Sequence, residues 1–191
     1  PSLADILAGQ FAMSAILAAL YHRDQNSGEG QYIDVSLLDS VIASMTHTVS
    51  DYLVSGDVPK RRGTEGNGGM PSRMYRCADQ DIVVVAGNKE QFQNLCTVLG
   101  CPEAVNIPGF ETPMSRGKNR KHLAEVMEPL FAKRQAAELL AALAEANVPA
   151  GPINNLAQVF EDPQVKVRNM AVEIAHPNAQ GGVLRLVGNP V

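Results

Sequence analysis

One glycine- and proline-rich stretch constrains the fold of this chain more than any other feature of the sequence. It is SGDVPKRRGTEGNGGMPSR, at positions 55–73. It holds five glycines and two prolines, a composition typical of a loop. A loop of this length inside a compact protein is usually functional or disordered. We therefore expect a short segment before the loop and a longer one after it, each with its own secondary structure.

The segment before the loop is predicted to form a helix, a strand and a second helix. Apolar and small residues over 6–22 predict a helix packed on most faces, and alternating residues over 31–37 predict a strand. Helical spacing follows over 38–53, which completes one unit of an α/β sheet. One strand cannot form a sheet, and the apolar helix needs neighbours on several sides. The sequence thus predicts a piece of a longer protein or a chain completed by a partner; the missing initial Met and the abrupt end at Asn-Pro-Val favour the piece.

The segment after the loop is predicted to be a smaller α+β domain. Its pattern predicts strands at 74–77 and 82–86, helices at about 89–100, 117–133 and 135–146, short helices at 156–160 and 163–169, and a terminal hairpin whose turn contains Gly181 and Gly182.

Composition excludes several classes of function. The formal net charge is −4, whereas nucleic-acid binding normally requires a basic surface. The cluster Lys60-Arg61-Arg62 is more typical of a solvated loop than of a phosphate site. We expect no membrane-spanning segment. The longest apolar run lies between Asp5 on one side and His22 and Arg23 on the other, and it is shorter than the roughly 20 residues that a span requires.

The cysteines and histidines indicate neither disulfides nor a metal site. Three cysteines form no Cys-x-x-Cys pair and are expected to be buried, reduced thiols, which favours a cytoplasmic protein. Four scattered histidines match no zinc-binding spacing, so no metal is predicted.

Three stretches of the sequence together resemble the class III CoA-transferase family. The first runs from DILAG at residue 5 through AALYHR to SGEGQYIDVSLLD; the second is MYRCADQDIVVVAGNKEQF at 74–92; the third and most specific is NVPAGPINNLAQVFEDPQVKVRNM at 147–170. The family includes formyl-CoA and carnitine CoA-transferases and the related α-methylacyl-CoA racemases. Its members are about twice as long, so the chain is similar to their C-terminal half.

The resemblance implies an α/β fold with a defined division of the chain. Residues 1–55 would be the C-terminal part of a Rossmann-like CoA-binding domain, 56–70 a linker with a glycine-rich loop, 71–175 the small α+β domain, and 176–191 a return linker or hairpin. Family members form interlocked dimers, so a homodimer is implied for the full-length protein. Most of the nucleotide pocket would lie in the N-terminal half.

Asp5 has two interpretations. From the residues alone, a carboxylate at the mouth of an apolar helix is most simply an N-cap. The family's nucleophilic aspartate stands at the start of the corresponding helix, so the resemblance implies that Asp5 attacks an acyl-CoA thioester. A mixed anhydride and then an aspartyl-CoA thioester would follow. A carboxylate is a weak nucleophile, but good positioning raises effective concentrations to about 10⁵–10⁸ M.

The segment Gly66-Asn67-Gly68-Gly69-Met70, called the glycine segment below, matches the family's glycine-rich loop over the active site. Glycine permits positive φ and close backbone approach, so the amides of Gly68 and Gly69 would face an acyl oxygen or act as a lid. A plain glycine-rich loop is the alternative interpretation. No P-loop is indicated, because no Gly-Lys-Ser/Thr follows.

The main alternative function is acyl-CoA racemisation. The racemases use a Glu-Pro-Gln-Phe segment, and here Lys89 stands at the glutamate position with Glu90 one residue displaced, which disfavours that chemistry. A third hypothesis is a non-catalytic fragment that lacks the CoA pocket. The favoured function is CoA transfer, with acyl-CoA and a carboxylic acid as substrates and no permanently bound cofactor.

Overall fold

The fold is described from a computed structural model, which covers residues 2–66 and 70–190. The chain divides into a first unit, Pro1–Arg61, and a second unit, Arg62–Val191. Each is described separately. The predicted domain boundaries at 55, 70 and 175 stay predictions.

The first unit is helical in its described part. Its elements are α1 (Leu3–His22), a π-helical turn (Arg23–Ser27), α2 (Leu37–Ser44) and α3 (Thr46–Ser55). Gly28 and Gly56 follow the π turn and α3 with φ of 70° and 75°, a conformation that ends a helix readily only with glycine. α1 packs against α2.

The predicted strand over 31–37 is wrong. Residues 29–36 carry no regular secondary structure, and α2 begins at Leu37. Ser36 is extended, with φ −89° and ψ 137°, but a strand also requires a hydrogen-bonded neighbour. No described residue of the chain provides one. The single helix predicted over 38–53 is also divided in two, because the backbone of Met45 leaves helical geometry at ψ 32°.

The first helix is longer than the sequence analysis predicted. Together with the π turn it runs over Leu3–Ser27 and is long and apolar enough to cross a membrane. The expectation that no apolar stretch reaches that length is therefore wrong, because the helix continues through Asp5, His22 and Arg23. Core helices of soluble proteins and signal sequences have the same length and composition, so this property is weak evidence for a membrane span.

Large side chains along α1 are exposed to an unusual degree. They are Leu3, Ile6, Phe11, Met13, Ile16, Leu17, Leu20 and Tyr21. Only Ala8 of this helix is buried. The expectation that the helix needs further neighbours agrees with this exposure, because a helix that is apolar all round is normally buried.

The described part of the second unit combines helices with two antiparallel sheets. Its elements are β1 (Ser72–Arg76), β2 (Asp81–Val85), α4 (Lys89–Val98), a 3₁₀ turn (Pro102–Asn106), α5 (Pro113–Lys118), α6 (Arg120–Phe131), α7 (Ala136–Glu145), β3 (Ala150–Pro152), α8 (Leu156–Glu161), α9 (Pro163–Val167), β4 (Ala171–Ala175) and β5 (Val183–Val187). The sheet order is β1-β2-β3, and β4 pairs with β5. The predicted helix over 117–133 is two helices, α5 and α6.

One hydrophobic core lies within the second unit. In β1 and β2, Tyr75 faces Ile82 across the pair, and both side chains are buried. Helices α4, α6 and α7 cover them with Leu95, Met127 and Leu139. The described residues thus mix helices and strands, as the α/β class predicts, and all described strand pairs are antiparallel.

The terminal hairpin and the buried cysteines confirm two further expectations. Gly181 and Gly182 lie between β4 and β5 with φ of 84° and 74°, as the predicted turn requires. The pairing of β4 with β5 crosses the predicted boundary at residue 175. Cys77, Cys96 and Cys101 are free thiols and are buried.

Candidate functional site

Asp5 is the third residue of α1, and its side chain is exposed. The N-cap is Ser2, so the interpretation of Asp5 as a cap is wrong. The first backbone hydrogen bond runs from Ile6 N to Ser2 O at 3.1 Å, so the N–H groups of the residues between them have no acceptor within the helix. Their partial positive charge favours a carboxylate. Across residues 2–66 and 70–190, no hydrogen bond or ion pair engages the Asp5 carboxylate.

A cleft of about 300 Å³ lies in the first unit between α1 and the chain that leads into α2. Phe11 provides an apolar wall, while Asp34, Ser36, Asp39 and Ser40 provide polar groups. Ser36 Oγ accepts a hydrogen bond from Asp39 N at 3.3 Å, and Ser40 Oγ donates to Ser36 O at 2.7 Å. The Ser36 hydroxyl therefore caps the start of α2. The sequence alone does not indicate this cleft, because the cleft depends on how α1 packs against α2.

The predicted site residues Gly68 and Gly69 lie outside the described residues, as does Asn67. The two ends of the glycine segment are described. Gly66 N donates to Ser72 O at 2.9 Å, which brings the chain before the segment beside the start of β1. A Cβ on Gly66 would lie 2.7 Å from Ser72 Oγ, so a larger residue there would force the serine side chain to move.

An ion-pair chain engages the residue that precedes the glycine segment. Glu65 Oε2 accepts a hydrogen bond from Arg120 Nη1 at 2.9 Å, and Glu65 Oε1 lies 3.8 Å from Arg73 Nη1. Arg73 Nη2 lies 3.0 Å from Glu128 Oε1. The Glu65 side chain is only 14% exposed, so solvent screens its own interactions with Arg120 and Arg73 less than it would a fully exposed pair.

Arg116, at the other end of the segment, is fully buried. Its Nε donates to Met70 O at 2.5 Å, and its Nη1 donates to Phe110 O at 3.0 Å. Its Nη2 donates to Gly87 O at 3.1 Å and to Asn88 O at 3.3 Å. One guanidinium thus joins three separate parts of the backbone. No carboxylate forms an ion pair with it in the described part of the chain.

The surroundings of Arg116 are apolar as well as hydrogen-bonding. Its guanidinium carbon lies 4.2 Å from the centroid of the Phe92 ring, within the range of a cation–π interaction. Burial lowers the pKa of Arg116 from its ordinary value. The sequence analysis missed this residue, because an arginine among Arg, Lys and Asn neighbours looks like part of a solvated surface.

The segment compared with the racemases begins α4. Asn88 is the N-cap: its Oδ1 accepts from Gln91 N at 2.8 Å, and Gln91 Oε1 accepts from Asn88 N at 3.4 Å. This reciprocal capping box explains the Asn and Gln of the pattern by helix stability. Lys89 and Glu90 between them are exposed.

The predicted residues fall in different units. Asp5 belongs to the first unit, whereas Gly68 and Gly69 belong by sequence to the second. The first unit provides an unpaired carboxylate at a helix start, and the second holds Gly66 and Met70, the two described ends of the glycine segment.

Comparison with known proteins gives consistent matches over the chain. A family model described as CoA-transferase family III matches residues 1–191. Succinyl-CoA:glutarate CoA-transferase of Homo sapiens is 34% identical over 176 residues, which are 92% of this chain and 40% of that protein. Acetyl-CoA:oxalate CoA-transferase of Acetobacter aceti is 33% identical over 190 residues, 100% of this chain and 47% of that protein.

A solved structure is similar as well. The crystal structure of a CAIB/BAIF family protein from Brucella suis matches with a TM-score of 0.76 and 37% identity, over 90% of this chain and 45% of that one. The chain spans about half the length of the curated relatives it matches.

Proposed function

Because the chain belongs to CoA-transferase family III, we propose that the full-length protein transfers coenzyme A between carboxylic acids with Asp5 as the nucleophile. The exposed, unpaired carboxylate in the first turn of α1 carries this proposal. A carboxylate with no hydrogen-bond or ion-pair partner has both oxygens free to attack a carbonyl carbon. The first turn of α1 beside it has backbone N–H groups without an acceptor inside the helix.

The proposed reaction proceeds through two kinds of covalent intermediate. An Asp5 carboxylate oxygen attacks the thioester carbonyl carbon, the C–S bond breaks, and a mixed anhydride and a CoA thiolate form. The thiolate then attacks the Asp5 acyl carbon and releases the donor acid, which leaves an aspartyl-CoA thioester. The acceptor carboxylate repeats the first step on that thioester. The thiolate released then attacks the acceptor's acyl carbon, which frees Asp5.

The glycine segment is proposed to stabilise the oxyanions of these steps. Backbone N–H groups of Gly68 and Gly69 would donate to the developing negative charge, a kind of contact that typically contributes a factor of about 10²–10³ to kcat. Glycine suits this task because it lets the backbone approach an acyl oxygen closely.

The substrate panel follows from the relatives. Their names give glutarate and oxalate as acceptors, so dicarboxylic acids are the first acceptors to test, with succinyl-CoA and acetyl-CoA as donors. A reducing cytoplasmic location and an interlocked homodimer belong to the same proposal. The exposed apolar surface of α1 supports the expectation that more protein covers this helix.

The experiment that tests the proposal is the intact mass of the full-length protein after incubation with these acyl-CoA thioesters. Asp5→Ala is compared with Asp51→Ala, an exposed aspartate of α3 in the same unit. We expect a CoA-sized adduct and CoA transfer in the wild type and in Asp51→Ala, and neither in Asp5→Ala. Normal turnover by Asp5→Ala would refute the mechanism.

Two further measurements separate the alternatives. Exchange of the α-proton of an acyl-CoA into deuterated water without an acceptor acid would indicate a racemase instead. Repeating the mass experiment with the 191-residue chain alone tests whether this half performs the first steps. If an adduct forms only on the full-length protein, the N-terminal half is required.

A further inference from the structure

We propose that Arg116 is a positioning residue that fixes the C-terminal end of the glycine segment, while the pair of Arg120 with Glu65 fixes the other end. The inference about turnover rests on the proposed function. The inference about position rests on contacts within the second unit alone.

The C-terminal end of the segment is attached through the Met70 carbonyl. Arg116 Nε donates to this oxygen, and the same guanidinium donates to Phe110 O and to Gly87 O. The Met70 side chain is buried as well, at 2% exposure. The carbonyl of the next residue, Pro71, accepts from Ala86 N at 2.7 Å. The position of Met70 is thereby fixed relative to both neighbouring parts of the backbone.

The choice of arginine has a geometric reason. A guanidinium presents five N–H donors in a rigid planar arrangement, whereas a lysine ammonium is a compact charge with three donors. Arg116 donates to the three parts of the backbone from three different nitrogens, whereas an ammonium has a single nitrogen. A buried cation without a carboxylate is unfavourable unless its donors are satisfied. Here the protein retains such a cation at the point where the glycine segment ends.

The N-terminal end is attached by charge and by backbone. Glu65 is paired with Arg120 at 2.9 Å, and Gly66 N donates to Ser72 O at 2.9 Å. The residues on both sides of the three central positions 67–69 therefore have defined partners in the body of the second unit. Substitution of either anchor is expected to displace that end of the segment and to leave the core packing of α7 unchanged.

The test uses the full-length protein with Arg116→Lys, compared with Arg134→Lys. Arg134 is a suitable control because it is partly buried and donates to one backbone carbonyl, Val98 O at 3.1 Å. Hydrogen exchange is measured for peptides that cover residues 62–72, with a peptide from α7 as the internal reference. We expect exchange over 62–72 to become about tenfold faster in Arg116→Lys and to stay unchanged in Arg134→Lys. Unchanged exchange over 62–72 in a folded Arg116→Lys protein would overturn the inference.

Kinetics provide the second readout. Displacement of a positioned group by about 1 Å is enough to lower turnover up to about 10²-fold. We expect kcat of Arg116→Lys to fall about tenfold or more while KM for the acyl-CoA changes less than twofold. An equal loss of activity in both lysine variants, in proportion to their loss of thermal stability, would contradict a positioning role.

Glu65→Leu keeps the experiment decisive if Arg116→Lys does not fold. This variant removes both the charge and the oxygen that accepts from Arg120 Nη1 at the opposite end of the segment. Faster exchange over 62–72 supports the anchoring inference, and unchanged exchange refutes it. If the wild type transfers no CoA, the proposed function fails, but hydrogen exchange still decides whether these residues hold the segment.

Discussion

The hydroxyl of Tyr75 offers the sharpest test of the core of the second unit. The side chain is 1% exposed and stacks on Phe131, with ring centroids 4.0 Å apart and an angle of 10° between the planes. Within residues 2–66 and 70–190, its hydroxyl has no hydrogen-bond partner. Burial raises the pKa of Tyr75, so the buried group is a neutral hydroxyl at ordinary pH. Tyr75→Phe removes that hydroxyl and keeps the stacked ring.

The expected effect of Tyr75→Phe is a gain in stability. Burial of a hydroxyl without a hydrogen bond costs about 1–3 kcal/mol according to protein mutational data. Removal of one oxygen leaves a small void, whose loss of contacts offsets part of that gain. The net expectation is a free energy of unfolding higher by about 1 kcal/mol. For a chain of this size this corresponds to a midpoint raised by about 2–4 °C.

The assay is thermal unfolding followed by far-UV circular dichroism. The matched control is Tyr52→Phe, because Tyr52 lies on α3 with 46% of its surface exposed. This variant is expected to change the midpoint by less than 1 °C, because surface substitutions usually have small effects. A loss of about 1 kcal/mol or more in Tyr75→Phe, with Tyr52→Phe unchanged, would refute the reasoning. That result would mean that the hydroxyl is hydrogen-bonded in solution.

Three other predictions concern α4. Asn88→Ala removes the capping box of this helix and is expected to lower the free energy of unfolding, measured by urea denaturation, by about 1 kcal/mol. Asn88→Asp should retain most of the stability of the wild type. Equal stability of all three proteins would contradict a stabilising cap. Burial raises the pKa of Cys96 from 9.0 to about 12, so iodoacetamide at pH 8 should label this thiol only after unfolding, and rapid labelling of the folded protein would contradict its burial. The pKa of Cys96 is higher in the folded protein, so the unfolded chain loses this proton first as the pH rises. The free energy of unfolding should therefore fall above about pH 9, by about 1 kcal/mol at pH 10. Cys96→Ala should reduce this fall.

The sequence predicted the second unit better than the first. Strands β1 and β2 and helices α4 and α7 lie within a few residues of their predicted positions, because their periodicity matches a core that the same unit contains. The strand predicted over 31–37 fails because strand formation depends on a neighbour. Only the alternation of residues is present in the sequence, and the described chain provides no pairing partner.

The most family-specific stretch of the sequence owes much of its pattern to helix ends. Asn147 and Asn169 adopt positive φ, at 55° and 51°, a conformation that asparagine tolerates better than most residues. Asn155 caps α8 and Asp162 caps α9 through side-chain oxygens. Such residues help to identify a family because the backbone requires them. They do not by themselves indicate a catalytic site.

Arg116 could not have been found from the sequence. Its role depends on carbonyl groups 6 to 46 residues away, and every residue type has such a group. By contrast, Asp5 is proposed because the stretch around it resembles the family's, whereas its residues alone indicate a helix cap. The structure adds that Ser2, and not Asp5, is the N-cap of α1.

The hydrogen bond from Gly66 N to Ser72 O also has a consequence for chain entropy. It closes a ring of seven residues, and the entropic cost of closing a flexible loop grows only with the logarithm of its length. Two more residues inside the ring would raise that cost by about 0.2 kcal/mol. Closure entropy alone therefore limits the length of this loop little. A strict limit on its length must come from the contacts at its ends, such as the hydrogen bond from Arg116 to Met70 O, or from what the loop has to reach.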